Sequence, residues 1–317
     1  MAKYGMPYKG SKDKIAEKII SVLPEGDCFC DLFGGGGAVT DCALQSVKYK
    51  KAIYNEIEPL IYEAFKKAVH GDFKNESRWI SREDFFKLKD TDPYAAICFS
   101  FGNDLRSYAY SPENEKYKKA LHWCIAYRDY KPLFEYMHGI LIADDLKLLV
   151  EIENRQTRRK KYRSIVLESA KKQNFVEKRG SHYYLHPLNQ IDRLQSLERL
   201  QSLERLERLE SLERLESLER LERLEIYNLS YEQVKIPNSS VIYCDIPYYG
   251  TSKYKSNFDY EKFYKWALNQ DNLVFISEYS MPEEFHVVAE WEKTCSFSQG
   301  NNTKTVEKLF CNKPYKT

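Results

Sequence analysis

The sequence predicts an α/β protein in which a parallel sheet flanked by helices is interrupted by one long helical insertion. Three observations favour this class. Short apolar runs typical of buried strands alternate with stretches of helical periodicity. One such run, CFCDLF, leads into four consecutive glycines at residues 34–37 and then into helix-compatible sequence. From residue 103 to about residue 188 the pattern becomes helical and basic, before an apolar run at residues 241–244 returns the chain to the sheet.

The first hundred residues are predicted to form a β-α-β unit. A helix begins near Ser11 and is ended by Pro24. The strand before the glycines follows, then a second strand that ends at Glu56, and then a helix at about residues 59–69. The apolar run AAICFSF, residues 95–101, is expected to be a third buried strand. This order is typical of nucleotide-type folds, in which ligands bind at the carboxyl ends of the strands.

The last third of the chain repeats this strand pattern. The run VIYC has no polar alternation, so a buried strand ending at Asp245 is expected. Pro247 biases Ile246 towards an extended conformation. A carboxylate followed by aromatic rings at a strand end is a candidate ligand site, although an Asp in an ordinary turn fits the same residues. Further strands are expected at LVFISEY, residues 273–279, and at KLFCNK near the carboxyl terminus, the latter as an edge strand.

Composition limits the classes of function. The net charge is only +2, so a nucleic-acid footprint requires a local basic patch. No apolar run approaches the length of a membrane span, and the start, MAKYGMPYKG, has no hydrophobic signal core, so a cytoplasmic protein without a membrane partner is expected.

Neither disulfides nor a metal site is expected. The eight cysteines include no C-x-x-C pattern, and we expect them to be reduced core residues. The closest pair, Cys28 and Cys30, is expected to face opposite sides of a strand. His182 and His186 are four residues apart but have no further metal ligands nearby in the sequence.

The glycines and the acidic residue after the second strand suggest an adenosine-containing ligand. Glycine tolerates positive φ and lets a ligand approach the backbone, and the following helix N-terminus favours an anionic group. The spacing differs from G-x-G-x-x-G, which disfavours a pyrophosphate. Glu56 is placed to accept hydrogen bonds from two ribose hydroxyls. A flexible glycine turn and a solvated glutamate are the alternative interpretation.

Three motifs carry a resemblance to a known family. DLFGGGGAV resembles the F-x-G-x-G motif of class I S-adenosylmethionine-dependent methyltransferases, and DIPYYGT resembles the D-P-P-Y motif of amino-group DNA methyltransferases. YKGSK, residues 8–12, resembles the aromatic-x-G-G-K element that opens Dam-like adenine methyltransferases. Their order is that of the Dam-like family, and the resemblance covers residues 1–110 and 227–317. Ile246 stands where the family has the first proline, and Ser11 where it has the second glycine.

The resemblance implies a Rossmann-like class I methyltransferase sheet with an inserted, mainly helical target-recognition subdomain and a leucine triplet-repeat segment. The implied divisions are a cofactor-binding half at 1–102, a target-recognition region at 103–190, the repeat at 191–226 and a methyl-transfer half at 227–317. The implied cofactor is S-adenosylmethionine. The residues implied to bind it are Tyr8, Lys12, Asp31, Phe33, Gly35, Gly37 and Glu56, and the implied catalytic residues are Asp245, Ile246, Pro247 and Tyr248.

The insertion contains the strongest basic run, RQTRRKKYR at residues 155–163. These side chains cannot all lie on one face of a helix, so some are solvated, but a basic helix beside catalytic motifs favours phosphate contacts. The segment NFVEKRGSHYYLHPL predicts a hairpin with residues 179–181 at its tip, which we expect to enter a groove or to wedge beside the target base. The residues predicted to bind DNA are Arg155, Arg158, Arg159, Lys160, Lys161, Arg163 and Arg179.

Leucine occupies every third position from Leu194 to Leu224. An α-helix advances about 300° in three residues, so this stripe slips around the helix and does not match a coiled coil. We predict helical turns that pack on the basic region, with a repetitive spacer as the alternative. In-frame changes in the number of triplets are expected to shift the recognition region and so to tune the target sequence.

The sequence thus predicts a site-specific methyltransferase that acts on the N6 amine of a flipped adenine in double-stranded DNA. A cytosine-amine or RNA methyltransferase of the same fold, and an inactive DNA-binding relative, are the alternatives. The sequence does not indicate whether a nuclease partner exists.

Overall fold

The computed structural model describes residues 3–136, 143–172, 176–179, 182–185, 204–216, 222–248, 258–295 and 303–315. The chain divides into two compact units. The sheet unit comprises Met1–Lys74 and Ser211–Thr317, and the inserted unit comprises Asn75–Glu210. The predicted boundary at residue 102 lies within the inserted unit.

The sheet unit is built on a seven-stranded sheet. Its strands are β1 Gly26–Asp31, β2 Tyr49–Asn55, β5 Leu224–Tyr227, β6 Ser240–Cys244, β7 Leu273–Glu278, β8 His286–Cys295 and β9 Thr303–Cys311, while β3 Val176–Arg179 and β4 His182–Leu185 form a separate pair. The spatial order is β5-β2-β1-β6-β7-β9-β8. The first five strands of that order are parallel, and β9 runs antiparallel to both β7 and β8.

The mixed α/β class is therefore confirmed, as are the predicted strands before the glycines, before Glu56, before Asp245 and in LVFISEY. The expectation that KLFCNK lies at an edge is wrong, because β9 is inserted between β7 and β8 and is paired on both sides. An antiparallel strand that pairs out of chain order leaves no mark in its own sequence.

The helices of the sheet unit alternate with most of its parallel strands along the sequence. They are Ala16–Val22, Ala38–Gln45, Pro59–His70 and Tyr260–Leu268. Helix Pro59–His70 has proline in its first turn and ends at Gly71, whose φ of 81° allows its N–H to bond the preceding carbonyls. Its bounds agree with the helix predicted at residues 59–69.

The inserted unit is mainly helical in its described part. Its helices are Arg82–Leu88, Pro93–Phe99, Pro112–Ala126, Lys131–Tyr136, Ala143–Glu151 and Arg155–Lys172. Its apolar core includes Leu121, Ile125, Leu146 and Tyr162. Strands β3 and β4 pair antiparallel with Arg179 opposite His182, which confirms the predicted hairpin; Gly180 and Ser181 at its tip lie outside the described residues.

The predicted strand at residues 95–101 is wrong, because this run is the helix Pro93–Phe99. Asp92 caps it by accepting hydrogen bonds from the N–H groups of Tyr94 and Ala95, and Pro93 supplies the φ of a first helical turn. All seven helical residues are buried, so no polar face marks the helical period in the sequence. A short apolar run of this kind fits a buried strand and a buried helix equally well.

The expected orientation of the cysteine pair is also wrong. Cys28 and Cys30 point to the same side of β1, with their sulfur atoms 3.8 Å apart in the apolar core of the sheet unit. Residues two apart on a strand share a face, so the observed arrangement is the one that strand geometry requires. The cysteines with described side chains are unbridged and buried. No described helix combines the length and hydrophobicity that a bilayer crossing demands.

Part of the leucine repeat forms the helix Glu204–Arg214. Leu209, Leu212 and Leu215 are buried at triplet spacing, together with Glu210 and Ser211 between them. Residues on more than one face of the helix are therefore buried here. Leucines at triplet spacing point in different directions around the helix axis, and burial on several faces allows each of them to be covered. Residues 186–203 and 217–221, which include most other triplets, lie outside the described residues.

Candidate active site at the carboxyl ends of the strands

The predicted site residues of the sheet unit meet at the carboxyl ends of its central strands. Asp31 at the end of β1 is in register with Tyr54 of β2 and Tyr243 of β6. Glu56 and Asp245 follow the last residues of those two neighbours. Adjacent parallel strands end on the same side of a sheet, so the glycine turn, Glu56 and Asp245 share one edge.

Lys12 lies at the centre of a group of four side chains that we call the Lys12 cluster: Lys12, Asp245, Tyr248 and Glu307. Lys12 Nζ is 2.7 Å from Asp245 Oδ1 and 3.1 Å from Glu307 Oε1. It also donates a hydrogen bond of 2.7 Å to the Tyr248 hydroxyl, which in turn donates to Glu307 Oε1 at 2.7 Å. Residues from the start, middle and end of the sheet unit's sequence are thus joined by charge-assisted hydrogen bonds.

Burial and charge set the protonation states in this cluster. Lys12 is 5% exposed and Glu307 is fully buried, whereas Asp245 remains 23% exposed. Burial alone would lower the pKa of the Lys12 ammonium, but the carboxylates of Asp245 and Glu307 outweigh it, and the pKa is raised. Burial, followed by the same two carboxylates, raises the pKa of Tyr248 far above its usual value. Lys12 is therefore charged and Tyr248 neutral at physiological pH.

The Tyr248 ring, like its hydroxyl, is fixed by contacts with neighbouring side chains. Lys12 Nζ lies 4.9 Å from the ring centroid, and the Tyr279 ring packs edge-on against it at 4.7 Å. The preceding Pro247 carbonyl accepts a hydrogen bond of 2.8 Å from Tyr260. Ile246, which replaces a proline of the motif, is 2% exposed and belongs to the apolar core. Its side chain anchors the segment between Asp245 and Tyr248 by burial.

The glycine turn is packed mainly by rings of the protein itself. A Cβ atom on Gly34 would lie 2.2 Å from the Tyr54 ring, and one on Gly37 would lie 2.1 Å from the Phe65 ring. Gly35 and Gly37 have φ values of 48° and 70°, which L side chains rarely adopt. The positive φ expected in this turn is therefore found at Gly35 and Gly37. The group that approaches the backbone at Gly34 and Gly37 is an aromatic side chain of the protein, whereas a ligand was expected there.

Tyr8 and Glu56 flank this turn. A Cβ on Gly35 would lie 3.1 Å from the Tyr8 ring. Glu56 Oε2 accepts a hydrogen bond of 2.8 Å from the Gly35 N–H, and Oε1 accepts one of 2.8 Å from the Glu58 N–H. Burial raises the pKa of Glu56 despite these bonds. The carboxylate therefore braces the turn, and each of its oxygens retains the capacity to accept a further hydrogen bond.

Asp31 is a buried carboxyl group with one satisfied oxygen. Thr40 donates a hydrogen bond of 2.7 Å to Oδ2. No donor among the described residues lies in hydrogen-bonding geometry to the buried Oδ1. Burial raises the pKa of Asp31 to about 7, with the Thr40 hydrogen bond acting in the opposite direction. A buried acceptor without a donor is costly unless a ligand or water satisfies it.

Phe33 begins an aromatic cluster beside the glycine turn. Its ring stacks on Tyr231 at 5.5 Å and meets the edges of Phe258 and Phe263, each at 5.7 Å. Phe33 is only half-buried. Exposed aromatic surface next to a glycine turn is suited to a flat apolar ligand such as a purine ring.

In the inserted unit, the basic run divides between buried and exposed positions. Arg158 is 3% exposed and donates to the carbonyls of Ile125, Ile152 and Glu153, while Arg159 is 4% exposed and forms a two-point ion pair with Glu210 at 2.6 and 2.8 Å. These arginines therefore stabilise the inserted unit.

The other predicted DNA contacts are placed differently. Lys160 and Lys161 are exposed on helix Arg155–Lys172. Arg155 is half-buried and donates to the Glu76 carbonyl at 3.0 Å. Arg163 and Arg179 lie in a helix and a strand, but their side chains are outside the described set.

Sequence reasoning missed Glu307. It lies in β9, opposite Trp291 of β8, and nothing in the surrounding TVEKLF separates it from a solvated glutamate on a strand. The usable signal is the alternation along β9, since Val306 is exposed and Glu307 faces inward, so an acid occupies a position that the pattern assigns to the interior.

One family matches part of the chain. Residues 8–131 match the family described as D12 class N6 adenine-specific DNA methyltransferase, a range that is less than half of the chain. The matched range includes Tyr8, Lys12, the glycine turn and Glu56, and it ends before Asp245. Over these residues the match confirms the resemblance to adenine-specific DNA methyltransferases that the motifs predict, and it is consistent, in general terms, with methylation of adenine in DNA. No curated protein matches the chain.

Proposed function

From the family match over residues 8–131, we propose that the sheet unit is a Rossmann-like class I methyltransferase that transfers a methyl group from S-adenosylmethionine to the N6 amine of adenine in duplex DNA. One observation carries this proposal. Asp245, the acid of the D-P-P-Y-like motif, lies on the same sheet edge as the glycine turn and is held beside Tyr248 by Lys12. A hydrogen-bond acceptor, a ring and a candidate cofactor site therefore belong to one edge.

The residues present fit S-adenosylmethionine. Asp31 Oδ1 is a buried acceptor that the described residues leave unsatisfied, and it suits the amino group of the methionyl end. Phe33 offers a ring face for the adenine, and Glu56 can accept from ribose hydroxyls in addition to its backbone donors. Tyr8, Gly35 and Gly37 would line the same site, with Lys12 turned towards Asp245. When bound, the cofactor supplies an electrophilic methyl group on a positively charged sulfur.

The protein's task is to make a weak nucleophile react. The lone pair of the adenine amine is delocalised into the ring. An acceptor for each N–H favours a pyramidal nitrogen whose lone pair is free to attack. Asp245 would accept one N–H and the Ile246 carbonyl the other, while Tyr248 would stack on the base. Duplex DNA hides this amine, so the adenine must first be flipped out, at a cost of a few kcal/mol.

The inserted unit is proposed to bind the DNA as a target-recognition subdomain. Lys160 and Lys161 are exposed cations on one helix, as phosphate contacts require. Arg155, Arg163 and Arg179 remain proposed contacts, whereas Arg158 and Arg159 would act by keeping the helix in place. The leucine repeat is proposed as a structural segment, since its described leucines are buried.

The test is methyl transfer from labelled S-adenosylmethionine to unmethylated genomic DNA, followed by nucleoside analysis and mapping of modified positions. The expected product is N6-methyladenine at one short motif, and Asp245→Ala should abolish it while DNA binding persists. The matched control is Asp27→Ala, which removes an exposed carboxylate from β1. Label in cytosine or in RNA would reassign the substrate, and no label despite cofactor binding would leave a DNA-binding protein.

A further inference from the structure

Glu307 is a buried acid that the motifs of the proposed reaction do not use. Its side chain is fully buried. It contacts Lys12, which pairs with Asp245, and Tyr248, which is proposed to stack on the target base. Burial of an ionised carboxylate is costly unless hydrogen bonds and an opposite charge compensate it. Lys12 and the Tyr248 hydroxyl provide both.

The position of Glu307 determines how the charge of Lys12 is shared. Lys12 Nζ lies between Asp245 Oδ1 at 2.7 Å and Glu307 Oε1 at 3.1 Å. If Asp245 were its only carboxylate partner, the ammonium would neutralise that carboxylate more completely and weaken it as an acceptor for an amine N–H. The four members of the Lys12 cluster carry one ammonium and two carboxylates, a formal charge of −1 with Tyr248 neutral.

Resting on the proposed function, we propose that Glu307 is a positioning residue that shares Lys12 with Asp245 and locks the Tyr248 hydroxyl, so that the Lys12 cluster is net negative where the amine reacts. In the proposed transfer an N–C bond would form as the C–S bond of the sulfonium breaks and its electron pair stays on sulfur. Positive charge would therefore develop on the amine nitrogen, which then loses one N–H proton to solvent. A preorganised negative environment stabilises that charge without reorganising during the reaction. Glu307 touches neither the base nor the cofactor in this role and acts through Lys12 and Tyr248.

The first experiment separates rate from binding. Glu307→Gln keeps the shape and an acceptor oxygen but removes the charge. The single-turnover methylation rate is expected to fall roughly 10- to 100-fold, the range of one lost charge-assisted hydrogen bond. The affinities for duplex DNA and S-adenosylmethionine should be unchanged. Glu290→Gln is the matched control, because it removes an exposed carboxylate, paired with Lys308, from the adjacent strand. An unchanged rate in Glu307→Gln overturns the proposal.

The second experiment does not depend on methylation. Lys12→Met leaves Asp245 and Glu307 as carboxylates without their cation, so it should lower the Tm. Adding Glu307→Gln should then raise the Tm of that variant, although Glu307→Gln alone lowers the Tm of the wild type. Additive losses in the double variant would overturn the shared-charge arrangement. If the wild type lacks methyl transfer but this reversal of sign is observed, the proposed function fails while the cluster stands.

Discussion

Asp31 has an environment that stabilises its neutral form. Its pKa is raised to about 7 by burial, whereas an aspartate in an unfolded chain titrates near 4. Between these two values the folded protein binds more protons than the unfolded chain, so the free energy of unfolding falls as pH rises through this window. Above pH 7 the penalty is constant, and its upper bound is about 4 kcal/mol.

We therefore expect Asp31→Asn to stabilise the cofactor-free protein relative to the wild type at pH 8, and to lose that advantage towards pH 5. Urea unfolding at both pH values measures the difference. Asp27→Asn, on the same strand but exposed and paired with Lys50, is the control and should not reproduce this pH dependence. A stability difference that is independent of pH would contradict the raised pKa.

The same substitution should weaken cofactor binding. If Asp31 Oδ1 receives the amino group of S-adenosylmethionine, the loss of the charge removes a charge-assisted hydrogen bond, and affinity should fall roughly 10-fold or more. Calorimetric titration of Asp31→Asn at pH 8 measures this. An unchanged affinity would place the amino group elsewhere on the sheet edge. Stability gained and binding lost at one residue would mark Asp31 as functional.

The glycine turn can form only where the residues lack a Cβ atom, because neighbouring rings occupy the space that a side chain would need. Gly37, at φ 70°, would place a Cβ 2.1 Å from Phe65, whereas Gly102 of the inserted unit, at φ 56°, has open space around it. Gly102→Ala should cost about 1–2 kcal/mol from the left-handed backbone alone. Gly37→Ala adds overpacking and should cost about 2–5 kcal/mol. Urea unfolding of the two variants compares them, and equal losses would contradict the packing observed at Gly37.

The elements that the sequence predicts correctly are those with a local signature. The strands that end at Asp31, Asn55 and Cys244 are apolar runs followed by a glycine turn or an acid. The helix Pro93–Phe99 was missed because a fully buried helix shows no polar face, and the capping Asp92 and Pro93 lie outside the apolar run. Capping residues should therefore be weighed before an apolar run is assigned to a sheet.

The Lys12 cluster was only half predictable for a different reason. Lys12, Asp245 and Tyr248 belong to motifs, so each was selected from the sequence, but their mutual contacts depend on how the sheet is ordered. Glu307 joins them because β9 pairs with β7 outside chain order. Long-range pairing is decided by packing over the whole sheet and has no local signal in TVEKLF.

The leucine repeat is anchored by arginines at triplet positions. Arg214 pairs with Asp41 at 3.0 Å and donates to the Gly5 carbonyl, and Arg223 donates to the Leu44, Tyr49 and Lys50 carbonyls. All of these contacts lie within the sheet unit. Because residues 209–214 and 215–220 both read LESLER, the triplet sequence alone does not specify which arginine meets Asp41.

Insertion and deletion of a repeat unit in this segment should therefore affect the stability of the protein differently. Insertion of one further LESLER after residue 214 keeps the triplet register and both anchors and lengthens only the connection between them, which costs about 0.6 kcal/mol per doubling of its length. Deletion of one unit forces the anchors together or breaks one of them, and should lower the Tm more than the insertion does. Thermal unfolding of both variants measures this, and a deletion variant as stable as the wild type would refute the anchoring. Mapping the methylated motif of the insertion variant tests whether triplet number tunes the target sequence.

At the scale of the whole molecule, the positive charge available for binding DNA lies in local groups of basic residues. The net charge is only +2, so a general electrostatic attraction to DNA is weak, and affinity must come from particular cations. In the basic run, burial removes Arg158 and Arg159 from solvent and leaves Lys160 and Lys161 exposed. Under the proposed function, this run would therefore make fewer phosphate contacts than its number of basic residues suggests.

The double variant Lys160→Gln/Lys161→Gln tests this distribution in the full chain. Each phosphate contact contributes about 0.9 to the slope of log affinity against log salt, so loss of both contacts should reduce the slope by about 2. The affinity should fall equally for specific and non-specific duplexes, because phosphate contacts carry no sequence information. Lys147→Gln is the control, since Lys147 is exposed in the same unit but paired with Asp144. An unchanged slope in the double variant would move the DNA contacts away from helix Arg155–Lys172, and a loss confined to the specific duplex would make these lysines readers of base edges.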